Sequence, residues 1–150
     1  MSERTAGAGG CRVLEPRSSR MPFEVVEVTG PSMAPTLLDG DRLVVRFGRP
    51  VRPGHIVILR HPFQQDLLVV KRAAERRSGG WWVLGDNAFA GGDSTDYGTV
   101  PEELILATAR LRFRPRRAHQ SSLPARLSWA LSALRPLPAD ASASSRLRAR

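Results

Sequence analysis

A lysine and a serine of this sequence could act together as a general base and a nucleophile. Lys71 is the only lysine among 23 basic residues, and it directly follows four apolar residues at 67–70. Arginine would serve equally well as a surface charge, but its guanidinium keeps its proton, whereas a buried lysine amine can lose one. Desolvation favours the neutral amine, which can act as a general base. The sequence therefore predicts a general-base lysine, with a solvated lysine at a strand end as the alternative.

A base needs a nucleophile, and Ser32 is the candidate. It lies in the turn 30–37, which reads GPSMAPTL and directly follows an apolar run. Glycine and proline at positions 30 and 35 favour a bent backbone that presents the hydroxyl and nearby N–H groups to a substrate. A serine in a turn is usually only a turn residue, but an isolated lysine elsewhere in the chain favours a Ser-Lys pair.

Short apolar runs separated by glycine and proline must position these two residues. Six runs rich in Val, Ile, Leu or aromatic residues predict strands at 23–29, 42–47, 55–60, 67–73, 81–84 and 104–113. Alternation in the fourth run puts Lys71 on the same strand face as Val69 and Ala73. The predicted fold class is a small, mostly β single domain of short antiparallel strands.

Five ordered segments resemble the family S26 serine peptidases, the signal peptidase I family, over residues 24–115. Segment 30–37 is similar to the nucleophile box, 39–44 to the strand that follows it, and 52–57 continues the match. Segment 70–72 is similar to the base box, and 85–87 with 94–96 is similar to the last box. The resemblance implies a signal-peptidase-like, LexA-like β fold and a serine endopeptidase with a Ser-Lys dyad.

The resemblance also implies roles for individual residues. Ser32 would be the nucleophile, Lys71 the base that takes its proton, and Ser94 the residue that orients the base. The Ser32 backbone N–H would contribute to the oxyanion hole. Further residues are expected to support the site structurally, namely Gly30, Met33, Pro35, Asp86, Asn87 and Asp96. Two departures from the family pattern stand out: glycine at position 30 removes a hydroxyl donor that some members carry, and Tyr-Gly at 97–98 replaces the usual Ser-Arg.

The spacing of the boxes indicates a compact member of that family. Only residues 72–84 separate the base box from the Gly-Asp-Asn box, and no run approaches the roughly 20 apolar residues of a membrane span. We therefore expect no anchor, and the chain resembles the nickel-type superoxide dismutase maturation proteases. That resemblance implies removal of the N-terminal leader peptide of a nickel superoxide dismutase precursor in the cytoplasm. No cofactor and no bound metal are expected, because the three histidines lack metal-ligand spacing.

Charge and composition divide the chain into three parts. We expect a disordered N-terminal arm at 1–20, a catalytic domain at 21–116 and a basic tail at 117–150. The formal net charge is +9. Basic and acidic residues balance over 21–100, whereas residues 101–150 carry ten arginines and only three carboxylates. The balanced charge of residues 21–100 gives no indication of nucleic-acid binding by the core, and no nucleic-acid partner is expected. Residues 140–150, rich in Ser and Arg, are also expected to be disordered.

Other functions remain open from the sequence. Residues 122–134 place Leu123, Leu127, Ala130, Leu131 and Leu134 on one stripe of a possible amphipathic helix. Such a helix could hold a signal peptidase for exported proteins at an anionic membrane surface, although a helix that caps the β domain, or a loosely ordered tail, is favoured. Two lower-ranked alternatives are a self-cleaving repressor-type protease and a basic nucleic-acid-binding protein that uses residues 110–117. The single cysteine excludes an internal disulfide.

Overall fold

The computed structural model describes residues 10–13, 22–115 and 123–148. Its strands are β1 (Gly10–Val13), β2 (Phe23–Thr29), β3 (Arg42–Phe47), β4 (Ile56–His61), β5 (Gln64–Arg77), β6 (Gly80–Leu84), β7 (Ile105–Phe113) and β8 (Leu134–Pro136). Its helices are α1 (Ser94–Tyr97), α2 (Leu123–Ala133) and α3 (Ala141–Arg148), and a 3-10 turn covers Glu102–Leu104.

The strands form one antiparallel sheet that closes on itself. Its order is β1-β2-β3-β7-β4-β5-β6, and β8 pairs with the outer part of β7. β1 also pairs with β5 through Gly10 and Val69, so that six strands complete a ring. The mostly β, antiparallel fold expected from the sequence is confirmed.

The predicted strands agree closely with the observed ones. β2 and β3 have the predicted bounds, and β4, β6 and β7 begin or end within one residue of them. β5 is longer than the predicted 67–73, because its polar ends pair with β4 on one side and β6 on the other. Apolar periodicity therefore locates the buried middle of this strand but not its ends.

Alternation along β5 assigns its residues to two separate cores. Val69 and Ala73 pack with Trp81 and Val83 in one cluster. Val70 packs in the other cluster, together with residues from β2, β3, β4 and β7. Lys71 lies on the same face of β5 as Val69 and Ala73, and Arg72 lies on the same face as Val70. These two neighbours therefore extend to opposite faces of the strand.

The C-terminal segment is ordered where disorder is predicted, and that prediction is wrong for α3. Asp140 caps this helix, since its Oδ1 accepts hydrogen bonds from Ala143 N at 3.0 Å and Ser142 Oγ at 2.6 Å. Ser144 is fully buried and donates its hydroxyl to the Ala74 carbonyl, and Leu147 packs against the end of β6. A cap and a few buried side chains suffice to order a segment of low apolar content.

The predicted helix at 122–134 is confirmed by α2, but its leucine stripe is not the face that packs on the sheet. Trp129 donates its indole N–H to the Arg114 carbonyl at 2.9 Å and contacts the Phe113 ring edge-on. Ala133 is buried, whereas the leucine stripe faces outward. No helix among residues 10–13, 22–115 and 123–148 is long and apolar enough to cross a membrane.

The N-terminal arm contains an unexpected strand. Disorder is predicted for residues 1–20, and the structure describes four of these, which form β1. The prediction does not hold for them, because pairing with two strands of the sheet offsets the low apolar content of the segment. The remainder of the predicted arm lies outside the described residues.

The arginines at the end of β7 have internal partners. Arg112 is buried, and its Nη2 donates to the Ser132 carbonyl of α2 at 2.9 Å. Arg114 forms two bonds with the Asp41 carboxylate, at 2.8 and 2.9 Å. Both side chains therefore join elements of the domain and do not form an open phosphate-binding stripe.

Candidate active site

Ser32 lies in a tight turn that leaves β2. Gly30 begins this turn with φ of 82°, and its N–H donates to Asp39 Oδ1 at 2.8 Å. Met33 is buried in the core, and its carbonyl accepts a hydrogen bond from Leu37 N at 2.9 Å. The predicted nucleophile is thus held on a loop that is anchored before and after it.

The Ser32 main chain has one committed group and one available group. Its carbonyl accepts a hydrogen bond from Asn87 N at 3.0 Å. No described residue accepts a hydrogen bond from its N–H. A fixed backbone N–H beside the nucleophile is the type of donor that can stabilise an oxyanion.

Lys71 is completely buried in the middle of β5. Its Nζ lies 3.4 Å from the Gly91 carbonyl oxygen. Burial lowers the pKa of Lys71, and the negative charges of Asp93 and Asp96 oppose this effect. Desolvation is the larger influence, and it favours the neutral amine that a general base requires.

A turn after β6 holds the two halves of the site together. Asn87 donates its side-chain amide to the Pro31 carbonyl at 3.1 Å, in addition to its main-chain bond with Ser32. A Cβ at Gly85 would lie only 2.6 Å from the Ser32 carbonyl oxygen, so that only glycine permits this approach. Leu84, which precedes the turn, pairs with Arg72 beside the lysine. No hydrogen bond joins Ser32 and Lys71 themselves among the described contacts.

Asp86 forms a buried polar junction behind the site. Arg72 donates to both of its carboxylate oxygens, at 2.8 and 2.7 Å, and donates a third bond to the Gly54 carbonyl. Thr36 donates its hydroxyl to the same carboxylate at 2.6 Å. The junction thus connects the nucleophile loop with the strand that carries the lysine.

A cavity of about 800 Å³ lies next to this junction. Pro35, Thr36, Arg72 and Asp86 line one side of it, and residues of the C-terminal segment line the other. Because Arg72 faces away from Lys71 along β5, this cavity lies behind the candidate site and does not open onto the lysine.

Ser94 and Asp96 of the last box make different contacts. Ser94 is buried, and its hydroxyl accepts a hydrogen bond from Val83 N at 2.8 Å. It makes no hydrogen bond with Lys71, whose amine contacts Gly91 instead, so that the orienting role of Ser94 stays a prediction. Asp96 accepts a bond from Gly92 N, which holds the turn beside the lysine in the absence of the family's arginine.

Asp93 is a site residue that sequence reasoning does not select. Its Oδ2 accepts a hydrogen bond from Gly85 N at 3.1 Å, while its Oδ1 accepts one from Thr95 N and caps α1. The Asp-Ser-Thr sequence is an N-cap signal that identifies the helix start, but nothing local indicates the contact with Gly85.

His61 and Tyr97 form an aromatic pair near the lysine. Their ring centroids are 5.0 Å apart in an edge-on arrangement. Burial lowers the pKa of His61, and the positive charge of Lys71 lowers it further. Burial also raises the pKa of Tyr97, whose hydroxyl has no hydrogen-bond partner in the described part of the chain. Both shifts favour the uncharged form of the respective ring.

Within the described ranges, His, Cys, Asp and Glu form no group of three that could hold a metal ion. Lys71 and Ser32 bring to this part of the molecule an amine whose pKa is lowered by burial and a hydroxyl beside an available backbone N–H. Such a set can perform nucleophilic attack on an acyl carbon.

Comparison with known proteins gives the family. The model described as Peptidase S24-like matches residues 15–93, which is about half of the chain. The chain belongs to this family and is a peptidase. No solved structure matches it significantly.

Two curated relatives are proteases as well. The chain is 32% identical over 126 residues to the mitochondrial ATP-independent inner membrane protease subunit 1a of Arabidopsis thaliana, covering 65% of this chain and 74% of that protein. It is 32% identical over 117 residues to the mitochondrial inner membrane protease subunit 1 of Schizosaccharomyces pombe, covering 62% and 74%. The relatives agree with the signal-peptidase-like class expected from the sequence.

Proposed function

We propose that this peptidase is a serine endopeptidase that uses Ser32 as nucleophile and Lys71 as general base. The observation that carries the proposal is the complete burial of the only lysine, which lowers its pKa. Among the described residues no carboxylate forms a hydrogen bond with the Lys71 amine, and burial of the charged form is costly, so that the neutral form required of a general base is favoured.

The proposed reaction proceeds in two steps. Neutral Lys71 takes the Ser32 proton while Ser32 Oγ bonds to the scissile carbonyl carbon, and the resulting oxyanion faces the Ser32 N–H. The C–N bond then breaks, the leaving amine receives the proton from Lys71, and an acyl-enzyme remains. Water attacks this ester, gives one proton to Lys71 and releases the carboxylate product, and the proton returns to Ser32 Oγ.

We propose an N-terminal leader peptide as the substrate, specifically that of a nickel-type superoxide dismutase precursor. The resemblance to compact maturation proteases supports this choice, since residues 72–84 leave little room for a second β domain between the boxes. Removal of the leader creates the N-terminal amine that, with thiolates, completes a nickel site. The cytoplasm would then be the site of action.

The test is cleavage of two purified substrates, a nickel superoxide dismutase precursor and a secretory preprotein in detergent, read by intact mass. Ser32→Ala should abolish cleavage of the dismutase precursor, and Ser78→Ala, at an exposed serine in a turn, should not. Both variants should keep the melting temperature of the parent chain. Cleavage that persists in Ser32→Ala would refute the nucleophile, and cleavage of the preprotein alone would refute the substrate.

An alternative substrate class is favoured by one surface of α2. Leu123, Leu127 and Leu131 are 72%, 67% and 87% exposed and lie on one helical face, with exposed Arg126 nearby. Such a face can lie in an anionic bilayer surface, where the peptidase would process exported preproteins. Flotation with anionic vesicles tests this alternative: Leu127→Glu should abolish binding without lowering the melting temperature, and equal flotation of both proteins would exclude α2 as the contact.

A further inference from the structure

β1 lies between β2, which leads into the turn of Ser32, and β5, which carries Lys71. It pairs antiparallel with β2, from Gly10 opposite Thr29 to Val13 opposite Val26. Gly10 is also the partner of Val69 in β5. Thr29 is the last residue of β2 before the nucleophile turn, and Val69 lies two residues before the lysine in the chain.

The direction of β1 brings its N-terminal end closest to the dyad. Because the strand is antiparallel to β2, its first residue lies where β2 enters the nucleophile turn. This is the position and direction of an extended peptide that is added to the sheet edge beside the catalytic residues.

The contact at this end is closely fitted. Gly10 is buried, and a Cβ there would lie 3.1 Å from Thr29 Oγ1 and 3.4 Å from the Leu68 carbonyl oxygen. Cys11 packs against the core, and burial raises the pKa of its thiol to about 12, so that it behaves as a small apolar residue. β1 is therefore seated between two strands and is not merely resting on the surface.

We infer that β1 occupies, within its own chain, the groove that binds the extended substrate, so that substrate binding requires β1 to leave. The inference rests on the proposed function, because it assumes a peptide substrate at Ser32. Main-chain groups of β2 and β5 that are bonded to β1 are not available to a second strand. The affinity for substrate is then reduced by the fraction of molecules in which β1 is seated.

The only cysteine of the chain permits a direct test. Cys11 is the Cα partner of Val28, and facing residues of antiparallel strands are about 4.5–5.5 Å apart, within the range that a disulfide spans. Both side chains lie at the same core cluster. Val28→Cys would therefore give one disulfide that locks β1 onto β2, and Val28→Ser is the matched control without a lock.

Two readouts are compared in the oxidised and reduced protein. The first is cleavage of the nickel superoxide dismutase precursor, and the second, in the Ser32→Ala background, is binding of a fluorescein-labelled peptide that spans its leader. Oxidation of Val28→Cys should lower both by at least about tenfold, because a locked strand leaves no competent fraction. Reduction should restore both, and Val28→Ser should not respond to the oxidant.

The outcomes separate the inference from the proposed function. Equal peptide binding by oxidised and reduced Val28→Cys, including no binding by either, overturns the inference. Redox-dependent binding without cleavage by the parent chain supports the groove and overturns the peptidase assignment of the dyad. Thermal melting of both forms excludes unfolding as the cause of a loss.

Discussion

The buried ion pair of Arg72 and Asp86 gives the most specific prediction for stability. Their side chains are 5% and 10% exposed, and the carboxylate also accepts the Thr36 hydroxyl. Asp86→Ala removes one partner and leaves a guanidinium buried without its counter-charge. The same change releases Thr36 on the nucleophile loop, so that both stability and cleavage should fall.

The expected magnitude follows from the burial of the pair. Loss of one partner of a buried ion pair costs about 3–5 kcal/mol. Domains of this size are stable by about 5–15 kcal/mol, so that the variant should still fold at low temperature. With about 4 °C of melting temperature for each kcal/mol, the expected decrease is roughly 12–20 °C.

Calorimetry or circular dichroism melting measures this decrease. The matched control is Glu102→Ala, which breaks the exposed Arg76–Glu102 pair, whose side chains are 58% and 53% exposed. A second comparison is the double variant Arg72→Met with Asp86→Leu, which leaves no unpaired charge and should be more stable than Asp86→Ala. A decrease for Asp86→Ala no larger than that for Glu102→Ala would refute the reasoning.

Three further predictions concern the dyad and its neighbour. Burial lowers the pKa of Lys71 from its ordinary 10.5, so that kcat/KM should rise with pH through this lowered pKa and level off, and a half-rise at or above pH 10.5 would contradict it. Lys71→Met should be inactive and, at neutral pH, at least as stable as the parent. This difference in the free energy of unfolding should shrink as pH rises. Between the lowered pKa of Lys71 in the folded parent and its ordinary pKa, the unfolded parent binds a proton that the folded parent does not. Gly85→Ala should lower stability by about 1–3 kcal/mol and slow cleavage, because its Cβ meets the Ser32 carbonyl, and unchanged kcat/KM would contradict the contact.

Periodicity predicts the strands because they depend on local alternation, whereas for Lys71 it leaves a buried base and a solvated lysine at a strand end both open. In the run 67–73, Lys71 shares its strand face with Val69 and Ala73, but Arg72 follows it directly, and the complete burial of the lysine is a finding of the structure. The same reasoning locates α2, but it cannot say which face of that helix packs. Trp129 donates to the Arg114 carbonyl next to β7, a contact that the local periodicity of the helix does not encode.

Sequence reasoning misses two kinds of feature: contacts between residues far apart in the chain, and ordered elements in segments of low apolar content. Asp86 appears in the sequence as a turn residue, and its pairing with Arg72 arises only because β5 and β6 are adjacent. Asp93 accepts a hydrogen bond from Gly85 N, eight residues earlier in the chain, and nothing local to either residue indicates this contact. β1 and α3 are low in large apolar residues, and each is ordered by pairing or capping that local composition does not encode.

The closed ring of strands has a consequence for how the protein behaves in concentrated solution. β1 covers the edge of β2 from Val26 to Thr29 and meets the edge of β5 at Val69. When it leaves, main-chain groups of both strands lose their partners beside the site, and such edges readily accept a strand from another molecule. A chain shortened to begin after Val13 should therefore form dimers by strand exchange or aggregate, unless a peptide is supplied to replace the missing strand. The same edges that make the site receptive to a peptide are thus a hazard for self-association, and the N-terminal strand protects against it.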